Sequence, residues 1–258
     1  MKPPVIVTRP APAGPRLVRR LQHGGREAVW WPAFTLGPPP DPELARATLQ
    51  RLAEFDLAIF VSPAAVQAVA ELLAVPWPDA TAVGAVGAAT AKAVQRQLGL
   101  PAEATVIAPT GDDAGSEAFW EAWSRLRRPV RQVLILRAQH GREWLGEQFA
   151  AAGASVNLLP VYTRADAPLD DVACLRLREW VRDGIPAIAV VSSSEAVDAL
   201  DRQVSVVPEA RGWLRQGVAI ATHERVAARL LAAGYTRVEL TSADDDLLTA
   251  RLESMQSL

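Results

Sequence analysis

The residues in this sequence that could do chemistry are hydroxyls and arginines, placed where short apolar runs give way to helical stretches. Thr8-Arg9, Ser62, Gly87 to Thr90, Arg137 to Arg142, Ser192 to Ser194, Thr222 and Thr241-Ser242 all fall at such junctions. In open α/β sheets, ligands bind beyond the carboxyl ends of the strands, where helix N-termini present backbone N–H groups. Helix capping accounts for any one of these hydroxyls taken alone. Taken together, they describe two rims of neutral donors suited to an anionic ligand.

Other chemistries lack their signatures. His23, His140 and His223 are far apart and show no metal-ligand spacing, and Asp244-Asp245-Asp246 reads as the acidic start of a helix. The single cysteine, Cys174, reads as a small buried hydrophobe and fits a reducing compartment. Gly84-Ala85-Val86-Gly87 is not a dinucleotide fingerprint, and neither a phosphate-binding loop ending in Lys-Ser/Thr nor a G-x-S-x-G elbow occurs. No metal and no cofactor is expected.

The elements that must hold the rims follow from pattern. In 258 residues, half are hydrophobic and 22% charged, the balance of a globular chain of one large or two smaller domains. Lys2 and Lys92 are the only lysines, so nearly all of the 27 basic residues are arginines, which capture carboxylates or phosphates in bidentate fashion. The net charge of −2, without a basic stripe, argues against nucleic acid. No apolar run reaches the ~18 residues of a membrane span. Val5-Ile6-Val7 is too short for the core of a secretory signal, so a cytoplasmic protein is expected.

Short β-rich runs such as Val5-Thr8, Leu57-Val61, Gln132-Arg137, Ala187-Val191 and Val218-Ala221 alternate with amphipathic stretches, which predicts parallel sheets covered by helices. A second extended run is expected from Glu27 through Leu36, and Trp30, Trp31, Trp120, Trp123, Trp144, Trp180 and Trp213 are expected in cores. Two proline-containing stretches, Trp30-Pro39 and Leu158-Pro168, read as linkers around a block of about five strand–helix units. The piece before them is too small for a core of its own and must pack on the C-terminal third.

An internal repeat sets Ser62 against Ser193, each at the end of an apolar strand. Downstream, Gly87 then falls opposite Ala221, 25 and 28 residues on, and Thr90 opposite Glu224.

In order and spacing, these residues resemble the uroporphyrinogen-III synthase family. The resemblance rests on Val7-Thr8-Arg9-Pro10, Pro32, Phe60-Val61-Ser62-Pro63-Ala64-Ala65-Val66, Val86-Gly87-Ala88-Ala89-Thr90-Ala91, Leu136-Arg137 with Gly141-Arg142-Glu143-Trp144-Leu145, Gly153-Ala154-Ser155-Val156 and Pro160-Val161-Tyr162-Thr163. It implies two flavodoxin-like lobes joined by a two-stranded linker, the first lobe discontinuous. The expected boundaries are 1–33 with 167–258, 40–157, and linkers at 34–39 and 158–166.

The resemblance also implies the substrate hydroxymethylbilane, an open-chain tetrapyrrole with eight carboxylates. It is closed to uroporphyrinogen III with loss of water and inversion of the last pyrrole through a spiro intermediate, without a cofactor. Tyr162 matches the family's linker tyrosine, which helps the hydroxyl leave. The substrate-binding residues expected are Thr8, Arg9, Ser62, Pro63, Ala64, Gly87, Thr90, Arg137, Gly141, Arg142, Ser193, Ser194 and Thr222. Val61 departs from the threonine of many members. Glu224, a carboxylate opposite Thr90, is expected to turn away, cap its helix or pair with Arg225.

A monomer is expected, with transient handover of substrate from hydroxymethylbilane synthase. The same donors would also serve a noncatalytic module binding an anionic metabolite, whereas a nucleotide-dependent transferase lacks its glycine motifs.

Overall fold

The structure, a computed structural model, describes residues 2–101, 104–110 and 115–255. The chain opens with β1 (Val5–Val7), entirely buried, and α1 (Ala13–His23), whose Leu17, Val18 and Leu21 form one buried face at helical spacing. Gly25, with φ of +72°, turns the chain into β2 (Ala28–Trp30). The extended run expected from Glu27 to Leu36 is broken here. Pro32 has no N–H for a ladder, and β3 (Phe34–Gly37) joins a different sheet.

There follow α2 (Pro42–Gln50), β4 (Leu57–Phe60), α3 (Pro63–Leu72), β5 (Ala82–Ala85), α4 (Ala88–Gln97), β6 (Val106–Ile107), α5 (Ser116–Arg125), β7 (Gln132–Ala138), α6 (Trp144–Ala151) and β8 (Ser155–Asp166). The chain ends through α7 (Asp171–Arg182), β9 (Ile188–Val191), α8 (Ser194–Val204), α9 (Ala210–Gln216), β10 (Val218–Ala221), α10 (Glu224–Ala232), β11 (Arg237–Leu240) and α11 (Asp245–Ser254).

Two compact units result, one of Met1–Thr35 with Ala165–Leu258 and one of Leu36–Arg164. In the first, the strands lie in the order β11-β10-β9-β1-β2, all parallel. Side chains alternate between its faces: Ile6 packs with Trp31, Leu177, Trp180 and Leu200, whereas Val5 and Val7 pack with Leu17, Leu21 and Leu252. Both faces are covered, which is why these strands are continuously apolar.

In the second unit the order is β3-β8-β7-β4-β5-β6, parallel from β8 to β6. With β3 set aside, it repeats the first sheet, β8-β7-β4-β5-β6 standing for β2-β1-β9-β10-β11. The chain merely enters the same arrangement at another strand. Gln203 on α8 donates from its Nε2 to Pro32 O and Ala167 O, pinning both crossing segments where they belong to the first unit.

Trp120, Trp144 and Trp213 are half-buried against the cores, and Trp31, Trp123 and Trp180 are buried in them as expected. Trp30 is not. It is 38% exposed at the end of an edge strand, and its Nε1 donates to Arg9 O at 2.8 Å. It lies over Gly14, where any Cβ would stand 2.2 Å from Arg9 O.

At the opposite end of the second sheet from its rim, Asp56 Oδ2 accepts from Gln132 N at 2.9 Å and Arg131 N at 2.7 Å. These backbone donors, Gln132 foremost, hold its carboxyl below the usual range. A depressed carboxylate favours the folded state above its ordinary titration range, and the contribution fades as acid protonates it in the fold. The urea-unfolding free energy of Asp56→Asn is therefore expected to fall less steeply than that of the parent between neutral pH and about pH 3.

Candidate active site

Because the paired strands within each set run parallel, their carboxyl ends share one edge of the sheet. In the second unit that edge carries the N-termini of α3, α4, α5 and α6; in the first, those of α1, α8, α10 and α11.

Ser62 follows β4 in extended conformation and caps α3, its Oγ accepting from Ala65 N at 3.1 Å. Pro63 supplies the first helical residue, where a missing N–H costs nothing, and Ala64 follows it, half-buried. Tyr162 stands beside them: its Oη is 3.2 Å from Ser62 Oγ. A β-bulge places it there. Arg137 lies opposite Pro160, but Ala138 lies opposite Tyr162, so Val161 is the extra residue. Val161 and Tyr162 consequently enter one core cluster, with Leu159, against the alternation a regular strand imposes.

Tyr162 is 3% exposed. Arg164 Nη2 donates to its Oη at 3.1 Å, and the guanidinium carbon is 5.7 Å from the ring centroid. The phenol borders a groove of about 330 Å³ formed by α3, through Ala64, Gln67 and Glu71, and by the segment Leu36 to Pro39.

Gly87 caps α4 in extended conformation, and Thr90 is buried in that helix's first turn. Arg137 is also buried, its Nε donating to Ala138 O at 3.2 Å and its Nη1 lying 3.7 Å from Glu143. The loop after β7 folds over this guanidinium through Gly141, at φ +154°, where a Cβ would approach Arg137 Nη2 to 3.2 Å. Arg142 grips Glu117 of α5 with both terminal nitrogens.

In the first unit, Thr8 Oγ1 donates to Val190 O at 2.8 Å, and Arg9 Nη1 and Nη2 donate to Asp245 Oδ1 at 2.7 Å and Ala243 O at 2.8 Å. Burial pulls the Arg9 guanidinium below its usual value, against the opposing pull of Asp245. Ser193 caps α8 as Ser62 caps α3, its Oγ accepting from Ala196 N at 3.2 Å, and Ser194 is the first helical residue. Thr222 is half-buried after β10.

The repeat is real at Ser62 and Ser193, but its downstream register needs correction. β5 ends at Ala85 and α4 is capped by Gly87; β10 ends at Ala221 and α10 is capped by His223, whose Nδ1 accepts from Arg225 N at 3.1 Å. Gly87 therefore matches His223, and Thr90 matches buried Val226 rather than Glu224. Glu224 sits exposed in the first turn of α10, where a carboxylate favours the helix dipole.

The same superposition of strands sets Arg137 opposite Arg9. Val7 pairs with Val190 and Ile135 with Ile59, so each arginine lies two positions beyond equivalent residues. Sequence reasoning found neither this equivalence nor the His223 cap, because histidine is not a favoured cap and only the strand ends fix the register.

Among the described residues no three His, Cys, Asp or Glu side chains are grouped to hold a metal ion, and no helix is long and apolar enough to cross a membrane. A sequence model described as uroporphyrinogen-III synthase HemD matches residues 15–249, from within α1 to the middle of α11. The chain belongs to the uroporphyrinogen-III synthase family. The uroporphyrinogen-III synthases of Salmonella typhimurium strain LT2 and Escherichia coli strain K12 are 29% and 28% identical to it, over 96% of this chain and 99% of each relative.

Solved structures agree on the fold. A mutant uroporphyrinogen III synthase from the extremely thermophilic bacterium Thermus thermophilus matches with a TM-score of 0.64 at 18% identity, covering 98% of both chains. The synthetase from Helicobacter pylori 26695 matches at 0.55 and 16%, with the same coverage. Family membership does not favour the noncatalytic module.

Proposed function

We propose that this protein closes hydroxymethylbilane to uroporphyrinogen III, with loss of one water and inversion of the last pyrrole ring through a spiro intermediate. The observation that carries the reading is the Tyr162–Ser62 pair at the N-terminus of α3, in a chain that matches the family along most of its length.

The pyrrole's own electrons expel the hydroxymethyl oxygen, which leaves as water after gaining a proton. The carbon left behind is attacked by the substituted carbon of the last ring. The spiro intermediate breaks and recloses, and the closed ring sheds a proton. The protein's task is to fold the chain for that attack and to exclude solvent.

Tyr162 assists departure of the hydroxyl as a hydrogen-bond donor. Ser62, Pro63, Ala64, Gly87 and Thr90, with Arg137, Gly141 and Arg142, offer carboxylate-binding positions on the second unit's rim; Thr8, Arg9, Ser193, Ser194 and Thr222 do so on the first. Main-chain N–H groups supply most of this binding, since Thr8, Arg9 and Arg142 already spend side-chain donors within the fold. The protein works without a cofactor, as a cytoplasmic monomer that receives its unstable substrate by transient handover from hydroxymethylbilane synthase.

The test supplies freshly generated hydroxymethylbilane to the purified protein and separates the type I and type III products after oxidation. Excess type III supports the reading, and type I alone, the product of unassisted closure, refutes it. In the same assay Tyr162→Phe is expected to lower kcat about 10- to 100-fold without abolishing turnover, the worth of one hydrogen bond to developing charge. A folded but wholly inactive Tyr162→Phe protein would overturn the distributed mode of catalysis.

A further inference from the structure

We propose that Arg164 is a positioning residue that orients the Tyr162 phenol and strengthens it as a hydrogen-bond donor to the departing hydroxyl, an inference that rests on the reaction proposed above. Arginine has only donors, so at the phenol oxygen it must donate, and it does so from Nη2 at 3.1 Å. The contact fills one acceptor direction on that oxygen with a charged donor. Ser62 Oγ, 3.2 Å from the same oxygen, is itself engaged by Ala65 N.

The three groups form an ordered array running from guanidinium to phenol to serine at the start of α3. With one acceptor direction of the oxygen filled by Arg164, the phenolic hydrogen is kept to the remaining directions, toward Ser62 and the open side of α3. A cation donating to the oxygen also draws electron density from the O–H bond, which makes its hydrogen a better donor.

Position supports the same role. Arg164 is two residues beyond Tyr162 on β8, so both side chains leave the same side of the strand, and the guanidinium lies near the ring with its carbon 5.7 Å from the centroid. Tyr162 is buried and fixed by the bulge, whereas Arg164 is exposed. An exposed side chain whose head returns to a buried phenol contributes little to the core, which separates positioning from folding.

The experiment measures kcat, KM and the fraction of type III product for the parent, Arg164→Leu, Arg164→Lys, Tyr162→Phe and the double variant Tyr162→Phe/Arg164→Leu, with hydroxymethylbilane as substrate. Arg164→Leu is expected to lower kcat about 5- to 10-fold at nearly constant KM, Arg164→Lys to recover part of that loss, and Arg164→Leu to cost nothing further once Tyr162 is Phe.

Equal and multiplicative losses in both backgrounds would overturn the inference, since Arg164 would then act independently of the phenol. A raised KM at unchanged kcat would also overturn it, by making Arg164 a contact for a substrate carboxylate. Failure of the parent itself to yield type III would instead refute the reaction. Should Arg164→Leu misfold, Arg164→Gln gives the same comparison with a neutral donor and is expected to fall between Lys and Leu.

Discussion

Asp245→Ala is expected to cost the first unit about 3–5 kcal/mol, the penalty of leaving a buried charge without its partner. Arg9 has a side chain only 8% exposed, and Asp245, at 17%, accepts from it at 2.7 Å while also meeting Arg16 at 2.8 Å. Removing the carboxylate strands the Arg9 guanidinium between β1 and the start of α11, with Ala243 O as its remaining acceptor. A lowered urea midpoint, with faster amide exchange in β1, α1 and α11 than in β4, β5 and β7, is the expected signature. Adding Arg9→Met should recover part of the loss, because an apolar chain of similar reach needs no counter-ion.

Phe149→Ala should cost about 3–5 kcal/mol in the second unit, from lost burial and the cavity left behind. Phe149 is fully buried, meets the edge of Trp120 at 5.0 Å and packs on Trp123 at 5.8 Å. With Leu145 it seats α6 against α5 and the face of β7 that carries Ile135. The loop holding Gly141 over Arg137 runs directly into α6, so exchange is expected to quicken from Gln139 to Ala151 as the melting temperature falls. Survival of the parent's melting temperature would show that Trp120 and Trp123 close the gap.

Fold class was legible because β-rich runs such as Ile188–Val191 and Val218–Ala221 are buried on both faces, and covered parallel strands leave little choice of side chain. The serines at the starts of α3 and α8 were legible for a local reason, since serine one residue before a helix is a favoured cap whatever lies elsewhere in the chain. What escaped depends on partners distant in sequence. Nothing in Ala28 to Gly37 says that β2 and β3 belong to different sheets. Thr8 and Arg9 look like free donors at a strand end until Val190 and Asp245 are placed against them. Trp30 is apolar enough for a core, yet an edge strand leaves it half in solvent. The bulge that aims Tyr162 is invisible because it is a property of two paired strands, and Arg164 gained meaning only once that phenol was in place.

The strand order of the first sheet has a consequence for how this protein is made. β1 sits between β2 and β9, but Ile188–Val191 leaves the ribosome about 180 residues after Val5–Val7, a wait of ~10–40 s at ordinary rates of synthesis. Leu36–Arg164 is complete before then and holds β4, β5, β6 and β7 of its own sheet whole, with most of β8 and half of β3. β1 is thus translated long before its partner β9, and Val5-Ile6-Val7 spends that interval with an open strand edge, the kind of surface on which nascent chains aggregate or recruit chaperones.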